Sequence, residues 1–313
     1  MVDGLGEAEL DRRIRTKTLT DLKGIGPKTA TAIVQAHGGQ VPEYLATLEE
    51  AYAAELPAAD DVAAFRAALR GDLHAHSDWS DGGSPIREMA EAAMALGHEY
   101  LALTDHSPRL TVANGLTPER LERQLDVVAE LNTELAPFRI LTGIECDINV
   151  DGSLDQTDEL LGRLDVVVAS VHSDLRADRR AMTDRMLAAV AHPHTDVLGH
   201  CTGRLVIGRK QRNGTQRPRP ESDFDAEAVF SACVEHGTAV EINSRPERLD
   251  PPRRLLTLAV ELGCEFAIDT DAHAPGQLDW QYNGCERAIE CGVPVERVIN
   301  TRPADELLAW TTG

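Results

Sequence analysis

The chain has 313 residues, 42% of them hydrophobic, enough to bury at least one large core. A formal net charge of −21 excludes indiscriminate nucleic-acid binding, because most of such a surface repels a phosphate backbone. Six cysteines without a C-x-x-C pair argue against a disulfide scaffold, and neither a basic-then-apolar leader nor a run of about 18 apolar residues is present, so a reducing cytoplasmic setting with no membrane partner is expected.

The first 70 residues read as a small all-helical module, with a domain boundary at Arg70-Gly71. Between Arg12 and Lys28 six basic residues stand against one acid, Asp21. Leu19, Leu22, Ile25, Ala30 and Ile33 predict one shared apolar face on two short helices, with a glycine turn between them and Pro27 in the first turn of the second. The segment from about 16 to 37 resembles a helix-hairpin-helix motif at Gly24, Ile25, Gly26 and Lys28. That resemblance implies backbone N–H groups offered to a DNA phosphate. A second helical stretch, broken by Pro57, is expected to run from about Leu45 to Leu69.

From Gly71 to the end, at 313, strands are predicted near 72–76, 100–104, 140–145, 165–171, 196–200, 238–242 and 265–270. Amphipathic segments alternate with them: Pro85–Leu96, Pro118–Leu135, Arg180–Val190, Ala226–His236 and Pro252–Leu262. Seven strands alternating with helices predict a parallel α/β barrel, a (β/α)7 fold one strand short of the common eight. Between Gly203 and Pro220 lie six further basic residues and no acid, and Gln211 to Pro220 reads as a flexible loop.

Histidines and carboxylates gather at the predicted strand ends: Asp72-Leu73-His74-Ala75-His76, Thr104-Asp105-His106, Gly143-Ile144-Glu145, Ser170-Val171-His172, Leu198-Gly199-His200 and Asp271-Ala272-His273. Barrel enzymes keep their chemistry at the C-terminal strand ends, and such a donor set can hold several divalent cations in one cleft. Residues i and i+2 of a strand share a side, so His74 and His76 can grip one cation, and Asp271 and His273 can reach two neighbouring ones. His37, His98 and His236 lie beside glycines at helix ends, where capping explains them. His192 and His194 flank Pro193 and are read as non-ligands. Cys146 and Cys201 are read as core.

These residues, together with Ser80-Asp81-Gly82, Gly203-Arg204-Leu205, Glu241-Ile242-Asn243 and Arg248-Leu249-Asp250, resemble the PHP (polymerase and histidinol phosphatase) family of metal-dependent phosphoesterases from Gly71 to about Leu308. The extra segments look most like the PHP domain attached to bacterial family X DNA polymerases. The resemblance implies a distorted TIM-like barrel and a trinuclear site of Zn²⁺, Mn²⁺ or Fe²⁺. His74, His76, Glu145 and Asp271 would hold the first ion; Asp81, His106 and His273 the second; Glu145, His172 and His200 the third. Arg204 and Arg245 are candidates to clamp phosphate oxygens, and Asp72 and Asp105 to orient histidines. The front segment is too short for a polymerase palm. The expected activity is hydrolysis at DNA 3′ ends: 3′-phosphatase or phosphodiesterase, with 3′→5′ exonuclease or abasic-site cleavage. A small-molecule phosphomonoesterase, such as one acting on histidinol phosphate, and a non-catalytic DNA-binding scaffold are the alternatives. Trp79 and Trp280 are expected at the barrel mouth.

Overall fold

The computed structural model describes residues 6–22, 25–39, 57–208 and 217–311. The chain divides into two compact units, Met1–Leu56 and Pro57–Gly313.

In the first unit, helix Glu7–Thr16 stops at Lys17, whose left-handed φ of 56° ends the run. A 3-10 turn, Leu19–Asp21, leads towards helix Pro27–His37. Leu19 and Ile25 are buried, as the apolar face predicts. Pro27 occupies the first turn, where its missing N–H costs nothing, and the Gly26 carbonyl accepts from Ala30 N at 2.9 Å. Gly24 and the Lys28 side chain, both expected at a phosphate, lie outside the described residues. The His37 ring meets Asp11 at 2.7 Å across the two helices. Gly38, not His37, terminates the helix.

The second unit begins before the expected boundary. Helix Ala59–Ala68 packs on helix Gln281–Glu290 and sends Val62 into the barrel's hydrophobic core, so it belongs with the barrel. The strands are β1 (Gly71–Ala75), β2 (Tyr100–Leu103), β3 (Arg139–Asp147), β4 (Val166–Ser170), β5 (Val197–Leu198), β6 (Ala239–Asn243) and β7 (Phe266–Asp269). All pair in parallel, in sequence order, as the alternating pattern predicts. Helices cover the outside, which explains strands such as Val166-Val167-Val168-Ala169-Ser170 that are buried along their whole length. Tyr100, Phe230 and Phe266 are fully buried, each contributing about 1.5–3 kcal/mol of transfer free energy.

The barrel is nearly closed. Between β7 and β1 a single bridge, Ala75 to Ala272, is supplemented by two aspartates. Asp269 Oδ1 accepts from Leu73 N at 2.8 Å, and Asp72 accepts from Thr270 Oγ1 at 2.6 Å and Thr270 N at 3.2 Å. Side chains therefore stand in for missing ladder bonds at this seam.

Two glycines set strand spacing. A Cβ at Gly143 would lie 2.8 Å from Val166 O, and one at Gly199 would lie 2.2 Å from Ser170 Oγ. β5 stops just before Gly199, so His200 sits on a turn where the sequence predicted strand.

Candidate metal centre

The expected donors converge at the C-terminal ends of the strands. Three groups have donor atoms within 4.8 Å of one another: His74, His76 and Asp271; His76, Asp81, His106 and His273; and His106, Glu145 and His172. His200 approaches the cluster through Nε2, 2.8 Å from Glu145 Oε1.

The spacings inside the cluster differ from those around it. His74 Nε2 and His76 Nε2 stand 3.4 and 3.6 Å from Glu145 Oε2, and His76 Nε2 stands 3.4 Å from Asp271 Oδ1. Asp81 Oδ1 lies 3.4 Å from His106 Nε2 and 3.3 Å from His273 Nε2, and His172 Nε2 lies 3.2 Å from Glu145 Oε1. Two donors, each about 2.1 Å from one ion at a tetrahedral angle, stand about 3.4 Å apart. Among the described residues, His74 Nε2, both ring nitrogens of His76 and His172 Nε2 have no hydrogen-bond partner although fully buried, while Glu145 Oε2 stands 2.8 Å from His106 Nδ1. Burying so many unsatisfied polar atoms is costly unless something charged satisfies them. The residues present fit divalent cations.

The outer nitrogens behave otherwise. His74 Nδ1 is 2.5 Å from Glu241 Oε1, and His172 Nδ1 is 2.5 Å from Asp147 Oδ1. These carboxylates fix the rings and leave the inner nitrogens bare. Sequence reasoning gave that role to Asp72 and Asp105, and the structure corrects it. Asp72 serves Thr270 and the His74 backbone N–H, whereas Asp105 accepts from Ser77, Ser80 and Gln124. Adjacency to a histidine in sequence says nothing of where the carboxylate turns.

Charges within the cluster balance in pairs. Burial alone would raise the Glu145 carboxyl, but the neighbouring His172, His74 and His106 outweigh it and hold it well below the usual carboxylate range. Burial likewise opposes ionisation of Asp271, yet Arg248 and His76 hold it well below its ordinary value. Burial, then repulsion from His273 and His106, pushes His76 well below the usual imidazole value. Asp271 also adopts a left-handed φ of 53°, a strained conformation for a non-glycine residue and one that clusters at functional sites.

A cleft of about 730 Å³ opens beside the cluster. Asp81, His106, His172, Asp271 and His273 line it, with Arg217, Arg219, Arg245 and Arg248 along the same cavity. Arg245 lies over the Trp280 ring at 5.9 Å and contacts His273 Nδ1 at 3.2 Å. Arg204 is turned away: its guanidinium donates to the carbonyls of Arg248 and Leu249. Arg248 was missed. Its Nε donates to Asp271 Oδ2 at 2.9 Å, and its buried Nη1 has no partner among the described residues. The available signal was its place three residues beyond Arg245 in the same turn. His98 closes the end of helix Ile86–Ala95, as expected, through its backbone N–H, which donates to Ala93 O at 3.1 Å across the left-handed Gly97, while Arg66 donates to its ring at 2.7 Å. His192 and His194 stay outside the donor groups.

Bare imidazole nitrogens at cation-ligand spacings, facing a cleft with arginine along it, place the molecule among the metal-dependent phosphoester hydrolases. The chain belongs to the PHP domain family, whose pattern matches residues 72–274. It is 40% identical over 242 residues to the DNA polymerase/3′-5′ exonuclease PolX of Bacillus subtilis (strain 168), a match covering 77% of this chain and 41% of that protein. It is 28% identical over 243 residues to a probable phosphatase of Edwardsiella ictaluri, covering 74% of this chain and 90% of that one. The crystal structure of histidinol phosphate phosphatase from Lactococcus lactis, complexed with zinc, L-histidinol and phosphate, matches 70% of the chain with a TM-score of 0.49 and 18% identity. No helix among the described residues is long and apolar enough to cross a membrane.

Proposed function

We propose that the chain hydrolyses phosphate esters at DNA 3′ ends, removing 3′-phosphates or other blocking groups, with 3′→5′ exonuclease or abasic-site cleavage as related activities. The observation that carries this reading is the cleft lined by Arg217, Arg219, Arg245 and Arg248 in a chain whose net charge is −21. Four arginines along one cleft of a chain with this net charge put positive charge where a phosphate must enter, which favours an end over the length of a duplex. The 40% identity to a DNA polymerase/3′-5′ exonuclease points the same way. Gly24, Ile25, Gly26 and Lys28 of the helical hairpin are proposed to hold a neighbouring DNA phosphate.

Three divalent ions, of Zn²⁺, Mn²⁺ or Fe²⁺, are proposed: His74, His76, Glu145 and Asp271 would hold one, Asp81, His106 and His273 another, and Glu145, His172 and His200 a third. When bound, such ions bring a water's pKa towards neutrality and oppose charge on the phosphoryl oxygens. The protein's own groups do the remaining work. Arg248 and Arg245 donate N–H groups to non-bridging oxygens, and Trp280 keeps Arg245 in place. Leu110, Val112 and Ile207 also line the cleft. The cluster supplies only Asp81, Glu145 and Asp271 as inner carboxylates, with Asp147 and Glu241 outside them.

A small phosphate monoester is the second reading, favoured by the match to a probable phosphatase over 90% of that protein's length. The test is hydrolysis of a nicked duplex carrying a 3′-phosphate, with Mn²⁺ present. Asp271→Asn is expected to lower turnover at least a thousandfold, and chelation to abolish it; undiminished hydrolysis by Asp271→Asn contradicts the assigned site.

A further inference from the structure

We propose that Glu241 is a positioning residue that couples two parts of the cluster, fixing the His74 ring with one oxygen and the His200 backbone with the other. The proposal rests on the reading of both histidines as metal ligands and adds that the ions they hold bind in dependence on each other.

Glu241 is fully buried on β6. Its Oε1 lies 2.5 Å from His74 Nδ1 on β1. Its Oε2 accepts the His200 backbone N–H, and Asn243 Nδ2 approaches that oxygen at 3.2 Å. Strand order places β6 beside β5 and β7, so the contact with β1 skips a strand and spans the barrel interior. The second contact matters because β5 ends at Leu198: His200 lies beyond the ladder, and its amide bonds to the carboxylate instead.

Both contacts need an acceptor. His74 Nδ1 must carry the proton to donate, which leaves Nε2 with a free lone pair, and Nε2 is the nitrogen facing Glu145 Oε2 at 3.4 Å. A glutamine at 241 has the same shape but only one acceptor atom. With its oxygen on His74, its amide N–H groups confront the His200 N–H, and with its oxygen on His200, they confront His74 Nδ1–H. Either way one end of the cluster loses its anchor. Asp147 provides the contrast, since it touches the ring of His172 but of no other donor histidine.

The experiment titrates Mn²⁺ into metal-free full-length protein by calorimetry, comparing wild type, Glu241→Gln and Asp147→Asn. Wild type is expected to take up three ions. Glu241→Gln should weaken two of them by 10- to 100-fold while the Asp81, His106 and His273 ion stays within about twofold, and Asp147→Asn should weaken one. Unchanged binding by Glu241→Gln, equal weakening of every ion or weakening of one ion only overturns the coupling and leaves the ligand assignment standing. Uptake of fewer than two ions by wild type overturns both. A second measurement does not depend on the variant folding: nuclear magnetic resonance of ¹⁵N-histidine in zinc-loaded wild type should show an exchange-protected Nδ1–H on His74, and its absence overturns the proposal.

Discussion

Arg204 and Arg248 lie in neighbouring turns and do different work. Arg204 binds the carbonyls of Arg248 and Leu249, so it reaches the cleft only by supporting the turn that carries Arg248. Arg204→Ala is expected to cost about 1–3 kcal/mol in urea denaturation, because partly buried carbonyls lose their donor, with KM for a phosphate ester changed less than threefold. Arg248→Ala should raise KM at least tenfold. Kinetics in which Arg204→Ala carries the larger KM effect would return Arg204 to the cleft. His98 adds a pH dependence unrelated to the metal site. Burial, then the charge of Arg66, lowers its pKa from 6.5 to about 4. The unfolded chain therefore binds the extra proton first, so the stability it contributes is present above pH 6.5 and is lost as pH falls towards about 4. Unfolding temperatures of wild type and His98→Gln, measured across that window, should converge as the pH falls; parallel curves would show that His98 does not titrate there.

Strand existence was legible because parallel strands covered on both faces are written as continuous apolar runs. Their order followed from the alternation with helices, and the helices Pro118–Leu135 and Ala226–His236 have the bounds of the amphipathic segments read from the sequence. What failed was the direction of individual side chains. Asp72 stands two residues before His74, on the same side of β1, yet its carboxylate turns across the open seam to Thr270. The carboxylate that does orient His74 is 167 residues further along the chain, a relation set by barrel closure and invisible in local pattern. Asp72→Ala leaves Thr270 N–H, Thr270 O–H and His74 N–H buried without this acceptor. At about 1–3 kcal/mol for each buried donor left unpaired, a loss of about 3 kcal/mol or more is expected in urea denaturation. An unchanged midpoint would mean that the seam aspartate is dispensable.

For the whole molecule, the donors came together because every strand runs the same way, so the turns after β1 to β7 all open on one end of the barrel. The domain boundary was harder to read, since the alanine-rich helix Ala59–Ala68 has no sequence mark that assigns it to the barrel; burial of Val62 does so. Removal of residues 1–56 thus respects the barrel unit, whereas removal of 1–70 cuts into it. The shorter deletion should raise KM for a DNA end at least fivefold and leave hydrolysis of a small chromogenic phosphate within twofold. Equal loss on both substrates would deny the hairpin a DNA-anchoring role. The most direct test sets a nicked duplex with a 3′-phosphate against histidinol phosphate at matched phosphate concentration, with Mn²⁺, and measures kcat/KM for each. A preference for the DNA of a hundredfold or more is the predicted result; a preference for histidinol phosphate would contradict it and make the protein a small-molecule phosphatase.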